Sequence, residues 1–251
     1  MGDGHDILSL RPAALRVVAF GDCNTNTIDE EQGTVPGALK EVISTNGGES
    51  TLDNLGFGMS TCREGLWAAQ HYDKVADVQL INYGLVDAWE TTIPAFYIPY
   101  INETRAKRFV RKLLKLTKRR LRAAWLRSIV PTGPVVGPTE FVRNITEMTR
   151  LFRRLNPAGE VVIWSTPLTI AEYTRNENIK RYNDLLEQLA DREKLVFIDS
   201  NATLEKKLLL EEWHIDHVHL SQRAACLIAQ NICRQLENRG VLNPATALKA
   251  A

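Results

Sequence analysis

Four cysteines in 251 residues are few, and none of Cys23, Cys62, Cys226 and Cys233 forms a CxxC pair. That spacing offers no disulfide framework and no common zinc ribbon, so reduced thiols in a cytoplasmic protein are expected. No apolar run approaches the roughly 18 uninterrupted residues of a membrane span. Charge of neither sign is in excess, 31 Lys and Arg against 30 Asp and Glu, so no field over the whole molecule announces nucleic acid or membrane, and any such signal must be local. The opening stretch, MGDGHDILSLRPAALRVVAF, carries acidic residues near its start and merges into the first strand pattern, so a secretory signal is not expected. Repeats and low-complexity tracts are missing too. The remainder is ordinary globular composition, 44% hydrophobic and 24% charged, and a single domain over residues 1–251 with a sizeable core is expected.

Short apolar, β-branched runs recur between helical patterns: LRVVAF (15–20), DVQLINYG (77–84), EVVIWSTP (160–167) and KLVFID (194–199), with a weaker strand at 50–55. Near-continuous apolar strands alternating with helices mark a parallel sheet covered on both faces. The spacing predicts helices at about 34–44, 61–72, 139–155, 176–192 and 221–239. The fold class is therefore α/β, a doubly wound parallel five-stranded sheet with ligands expected at the strands' carboxyl ends. PTGPVVGPT (131–139) reads as a loop from its Pro and Gly content.

Between the third and fourth main strands an extra element stands out, TRAKRFVRKLLKLTKRRLRAAWLRS (104–128), which contains no acidic residue. Phe109, Val110, Leu113, Leu114, Leu121 and Trp125 recur at helical spacing, giving an amphipathic insertion at about 104–130 with a basic face. Such a run is ordinarily a solvated face, but the Glu residues that usually space lysines there are missing. Arg108, Arg111, Lys112, Lys115, Lys118 and Arg119 are the candidate anion-binding residues, for an acidic polysaccharide, a lipid-linked phosphate or an anionic membrane surface. A peripheral position at the inner membrane would follow from the last. No recognition motif accompanies the charge, so nucleic acid is not an expected partner.

Chemistry concentrates where strands end. Gly21-Asp22-Cys23 leaves the first strand, NLGFGMST (54–61) the second and NYGLVDAW (82–89) the third, while EEWHIDHVHLS (211–221) precedes the last helix. A thiol must lose its proton to attack, an imidazole can take it, and the imidazole needs a partner that fixes its tautomer. Cys23, His219 and Asp216 can fill those roles, and an activated Cys23 would titrate well below the ordinary thiol value of about 8.5. Ser221 suits the N-cap of the last helix, which leaves His219 free of that duty. Trp89 suits either pocket wall or core. Cys62 either packs inward or approaches Cys23, and Cys226 and Cys233, seven apart, are assigned to the core. The histidines 214, 217 and 219 match no common zinc spacing, and neither metal nor cofactor is expected.

In this order the blocks resemble the SGNH, or GDSL-type, hydrolases. Gly21-Asp22-Cys23 stands for the family's Gly-Asp-Ser, Asn54, Gly56 and Gly58 for its second block, Gly84-Leu85-Val86-Asp87 for its Gly-x-Asn-Asp, and Asp216-His217-Val218-His219 for its Asp-x-x-His. The resemblance spans residues 17–221 and implies a flavodoxin-like sheet with ester hydrolysis or acyl transfer, often on acetylated sugars or lipids. A looser likeness to SGNH-like proteins of surface-polysaccharide clusters favours a carbohydrate substrate. By the same resemblance Cys23 replaces the nucleophilic serine and Val86 the oxyanion asparagine. Asp22, Gly58, Met59, Val86 and Asp87 are the expected oxyanion and pocket residues, with the second-block glycine slot falling on Gly58 or Met59. The alternative is a degenerate module on this fold that binds an anionic glycan or a partner protein without chemistry.

Overall fold

A computed structural model describes residues 14–26, 33–94, 98, 104–121, 131–170 and 173–242, leaving the side chains of 115, 117–121 and 173 outside that description. Strands β1 (Leu15–Gly21), β2 (Ser50–Asn54) and β3 (Val78–Asn82) lie parallel, with Ala19 facing Asn54 on one side and Leu80 on the other. β6 (Glu160–Trp164) and β7 (Val196–Ile198) extend the sheet, giving the order β2-β1-β3-β6-β7. The chain winds from β1 to one edge and then returns to build the other. The point of reversal lies between β1 and β3, the position at which sheets wound in this way bind their ligands.

Strand period two sorts each side chain to a face. Val17 and Ala19 of β1 join α1 (Val35–Thr45) and α7 (Gln222–Asn238) through Leu39, Ile43, Ile228 and Ile232. Val18 and Phe20 join the opposite layer, α2 (Cys62–His71), α4 (Pro138–Leu155) and α5 (Tyr173–Glu193), through Phe141, Ile145, Met148, Tyr182 and Leu186. Each such large side chain contributes about 1.5–3 kcal/mol by leaving water. Both faces of β1 and β3 being covered is why these strands read as continuous apolar runs.

The insertion begins with β4 (Glu90–Thr92), continues through α3 (Arg105–Leu121), and returns by β5 (Thr132–Pro134), which pairs antiparallel with β4. The expected loop at 131–139 therefore contains a strand, and α4 already starts at Pro138. Three-residue strands are too short to show alternation, and a proline at the edge of a two-stranded ribbon breaks no ladder. The predicted helix over 104–128 is present as α3, and residues 122–130 lie outside the described residues. A short α6 (Ser200–Glu205), N-capped by Asp199, was not legible at six residues. Among the described residues no helix is long and apolar enough to cross a membrane.

Candidate active site

β1 ends on a glycine for a steric reason. A Cβ at Gly21 would fall 1.9 Å from Thr25 Oγ1 and 2.6 Å from the Asn82 carbonyl oxygen. The chain then turns tightly, the Asp22 carbonyl accepting the N–H groups of Thr25 (3.0 Å) and Asn26 (3.2 Å) while Asp22 Oδ1 accepts that of Asn24 (3.0 Å). Cys23 rides on this turn, 5% exposed and inside the layer of α2, α4 and α5.

The Asp216 loop is self-braced. Asp216 Oδ1 accepts the N–H groups of Val218 (2.7 Å) and His219 (2.8 Å), and its Oδ2 lies 2.6 Å from His219 Nδ1. Partial burial works against the charged carboxylate, but these N–H donors outweigh it and take Asp216 down to about 2. The carboxylate is thus ionised at neutral pH, Nδ1–H donates to it, and Nε2 is left as the basic nitrogen. Ser221 caps α7, its Oγ accepting from Ala224 N–H at 3.2 Å.

Asn24 ties the two loops together. Its Nδ2 donates to the Val218 carbonyl at 3.2 Å, and its Oδ1 accepts from Leu220 N–H at 3.0 Å. The Cys23 turn is thereby held to the chain on both sides of His219. The second block joins through Asn54, which donates to the Thr25 carbonyl (2.8 Å) and accepts from Gly56 N–H (3.1 Å), and through Ser60 Oγ on the Gly21 carbonyl at 2.8 Å. Left-handed backbone in this block falls on Met59, φ 63°. That is the conformation glycine adopts without strain, so position 59 is the glycine-like slot and Gly58 precedes it.

Two expected pocket residues face inward instead. Asp22 and Asp87 are wholly buried, and they hold backbone rather than line a pocket. Asp87 accepts from Cys62 N–H (2.9 Å) at the start of α2 and from Gly84 N–H (3.2 Å) in the third block. Burial drives Asp22 up to about 7 against the Asn24 N–H, with the neighbouring Asp87 charge adding to the rise, and burial likewise takes Asp87 up to about 6. Val86 is 4% exposed and has no side-chain donor.

The thiol also departs from expectation. Burial, and after it the Asp22 charge, push the Cys23 thiol far above its ordinary value, so the resting group is the neutral thiol and not a preformed thiolate. Cys62 is fully buried as a free thiol, its sulfur accepting from Asn144 Nδ2 at 3.4 Å. Cys233 is in the core, whereas Cys226, assigned there too, is half-buried and borders a groove between α1 and α7. His214 is a buried structural histidine on the Leu168 carbonyl at 2.8 Å.

Besides Asn24, one further group carries no signal in the sequence. Arg175, near the start of α5 and 8% exposed, carries a positive charge that favours ionisation of both Asp22 and Cys23. Its guanidinium lies 4.5 Å over the ring of Trp89, which is 41% exposed and so belongs to the surface beside the third block rather than to the core. On α3, Arg108 and Lys112 are exposed and Arg111 half-buried, while Lys115, Lys118 and Arg119 fall among the side chains outside the description.

A parallel five-stranded sheet, with a Gly-Asp-Cys turn at the switch point bolted to an Asp-x-x-His loop, defines an SGNH-type hydrolase fold. Residues 19–225 match the model of the GDSL-like lipase/acylhydrolase family, and the chain belongs to that family. Among solved structures it is similar to a lipase/acylhydrolase from Enterococcus faecalis (17% identity, 93% of this chain and 100% of that one, TM-score 0.60). It is also similar to a catalytic mutant of Axe2, an acetylxylan esterase from Geobacillus stearothermophilus (17%, 90% and 96%, TM-score 0.56), and to TesA (14%, 89% and 98%, TM-score 0.57). At these identities the likeness is one of fold. No curated protein sequence matches the chain.

Proposed function

We propose that the protein cleaves or transfers an acyl group from an ester or thioester, with Cys23 as nucleophile, His219 as general base and acid, and Asp216 orienting it. The observation that carries this reading is the Asp216–His219 pair, 2.6 Å apart and ionised on the carboxylate side, on a loop that Asn24 bolts to the Cys23 turn. Because the resting thiol is neutral, His219 Nε2 takes its proton as sulfur attacks the carbonyl carbon. The same proton then goes to the departing oxygen or sulfur, and water or a sugar hydroxyl, deprotonated by the same imidazole, releases the acyl group. The oxyanion would be held by main-chain N–H groups, that of Cys23 and that of Met59. Replacing the side-chain amide donor by Val86 forgoes about 3–4 kcal/mol of transition-state stabilisation.

A carbohydrate substrate is favoured by Trp89, whose indole beside the third block holds the Arg175 guanidinium against its ring yet still leaves apolar surface exposed for a sugar ring. The similar acetylxylan esterase, named for an acetylated sugar polymer, agrees with that choice. The test is hydrolysis of p-nitrophenyl acetate and of acetylated xylo-oligosaccharides by the unaltered protein, Cys23→Ala and His219→Ala. Turnover that both substitutions abolish is expected, and turnover indifferent to either would overturn the assignment. A second reading, a binding module without chemistry, draws on the suppressed ionisation of Cys23 and on Val86. Tight binding of an anionic glycan by a protein inert toward every ester would favour it.

A further inference from the structure

α3 is two-faced, with an apolar stripe and a basic flank that are both largely exposed. Phe109, Leu113 and Leu116 follow one another at i, i+4 and i+7, and Val110 lies beside Leu113, so they form one stripe. That stripe is turned to solvent: Phe109 is 69% exposed, Leu116 53%, Leu113 54% and Val110 43%. The half-buried positions are Lys107, Arg111 and Leu114, also at i, i+4 and i+7, on the opposite side of the helix. Arg105, Arg108 and Lys112 are exposed along one flank of the apolar stripe, and no acidic residue occurs anywhere in α3.

Few occupants satisfy both faces. A second copy of the chain would bring two acid-free basic helices together. A soluble anionic polymer would neutralise the charge yet leave Phe109, Leu113 and Leu116 in water. An anionic bilayer accepts the apolar stripe below its headgroups while the arginine and lysine stems reach up to lipid phosphates, and interfacial binding of useful strength needs both contributions. We propose that α3 docks the protein in the plane of an anionic lipid surface, with Phe109, Leu113 and Leu116 inserted and Arg105, Arg108 and Lys112 on the headgroups. The insertion springs from the edge that carries the active site, since Val135 N–H bonds the Trp89 carbonyl (2.9 Å) and Val136 N–H the Asp87 carbonyl (3.2 Å). The docking proposal does not depend on the acyl chemistry.

The test is co-sedimentation of the full chain with phosphatidylcholine vesicles and with vesicles of phosphatidylcholine and phosphatidylglycerol, which needs no turnover. Binding to the anionic vesicles alone is expected, weakened about tenfold or more both by Phe109→Ser with Leu113→Ser and by Arg108→Glu with Lys112→Glu. Circular dichroism and p-nitrophenyl acetate hydrolysis should match the unaltered protein in both variants, because these side chains are exposed and none of them is among the proposed catalytic groups. Three results would overturn the proposal: no vesicle binding, binding that ignores the apolar substitutions, or capture by soluble heparin in preference to anionic vesicles.

Discussion

Asp22 is the residue whose replacement separates the electrostatics of the site from its geometry. Its carboxyl is wholly buried and titrates at about 7 in the folded protein, against an ordinary 3.8 in the unfolded chain. Between these values the unfolded chain has released a proton that the folded protein retains, so stability falls as pH rises through that window and is flat above it. At about 1.36 kcal/mol per unit the total is roughly 4 kcal/mol, of which about 3 accrues between pH 5 and pH 8. Asp22→Asn keeps the Oδ1 acceptor for Asn24 N–H and removes the titration, leaving only a constant offset from its new amide. Urea denaturation of both proteins across this pH range should show the variant gaining about 2–3 kcal/mol on the unaltered protein from pH 5 to 8, and no more above that. His214, whose buried imidazole is lowered by desolvation, contributes a slope of opposite sign below its ordinary 6.5, but it is common to both proteins and cancels in the difference. Two parallel stability curves would refute the reasoning and show Asp22 to be ionised and compensated.

Other outcomes follow from the same structure. Asn24→Ala removes both bonds between the Cys23 turn and the Asp216 loop and leaves the buried Leu220 N–H without its acceptor, so a loss of about 2–3 kcal/mol by denaturation should accompany a fall in kcat larger than any change in KM. Asp216→Asn presents His219 Nδ1 with a changed partner and should lower kcat by about 10³–10⁴ on an activated ester, with the fold intact by circular dichroism. Alkylation of Cys23 by iodoacetamide, followed by peptide mass spectrometry, should be slow at neutral pH and climb only in the alkaline range, because burial and Asp22 oppose the thiolate. A reactive thiolate at pH 6 would contradict that description.

The features legible in the sequence are those whose signal is local. Four main strands read as apolar runs because helices cover both sheet faces, and Asp216-x-x-His219 is a single hydrogen-bonded loop. Asn24 was invisible because its partners lie 194 and 196 residues further along the chain, and nothing in a turn asparagine announces them. Arg175 sits in TRNENIKRY, where a buried arginine and a solvated one look alike. Asp22 and Asp87 read as pocket residues from their places in the first and third blocks, whereas here their oxygens serve the backbone N–H groups of Asn24, Cys62 and Gly84. The second-block register depended on one dihedral, the φ of Met59, which no spacing rule supplies.

The central claim is that Cys23 carries the acyl group. Rapid acid quench of the protein with a limiting activated acetyl ester, then peptide mass spectrometry, tests it most directly. A transient acetyl thioester is expected on the Cys23 peptide, disappearing with time and not forming in His219→Ala. An acetyl group found only elsewhere, or turnover with Cys23 never modified, would contradict it.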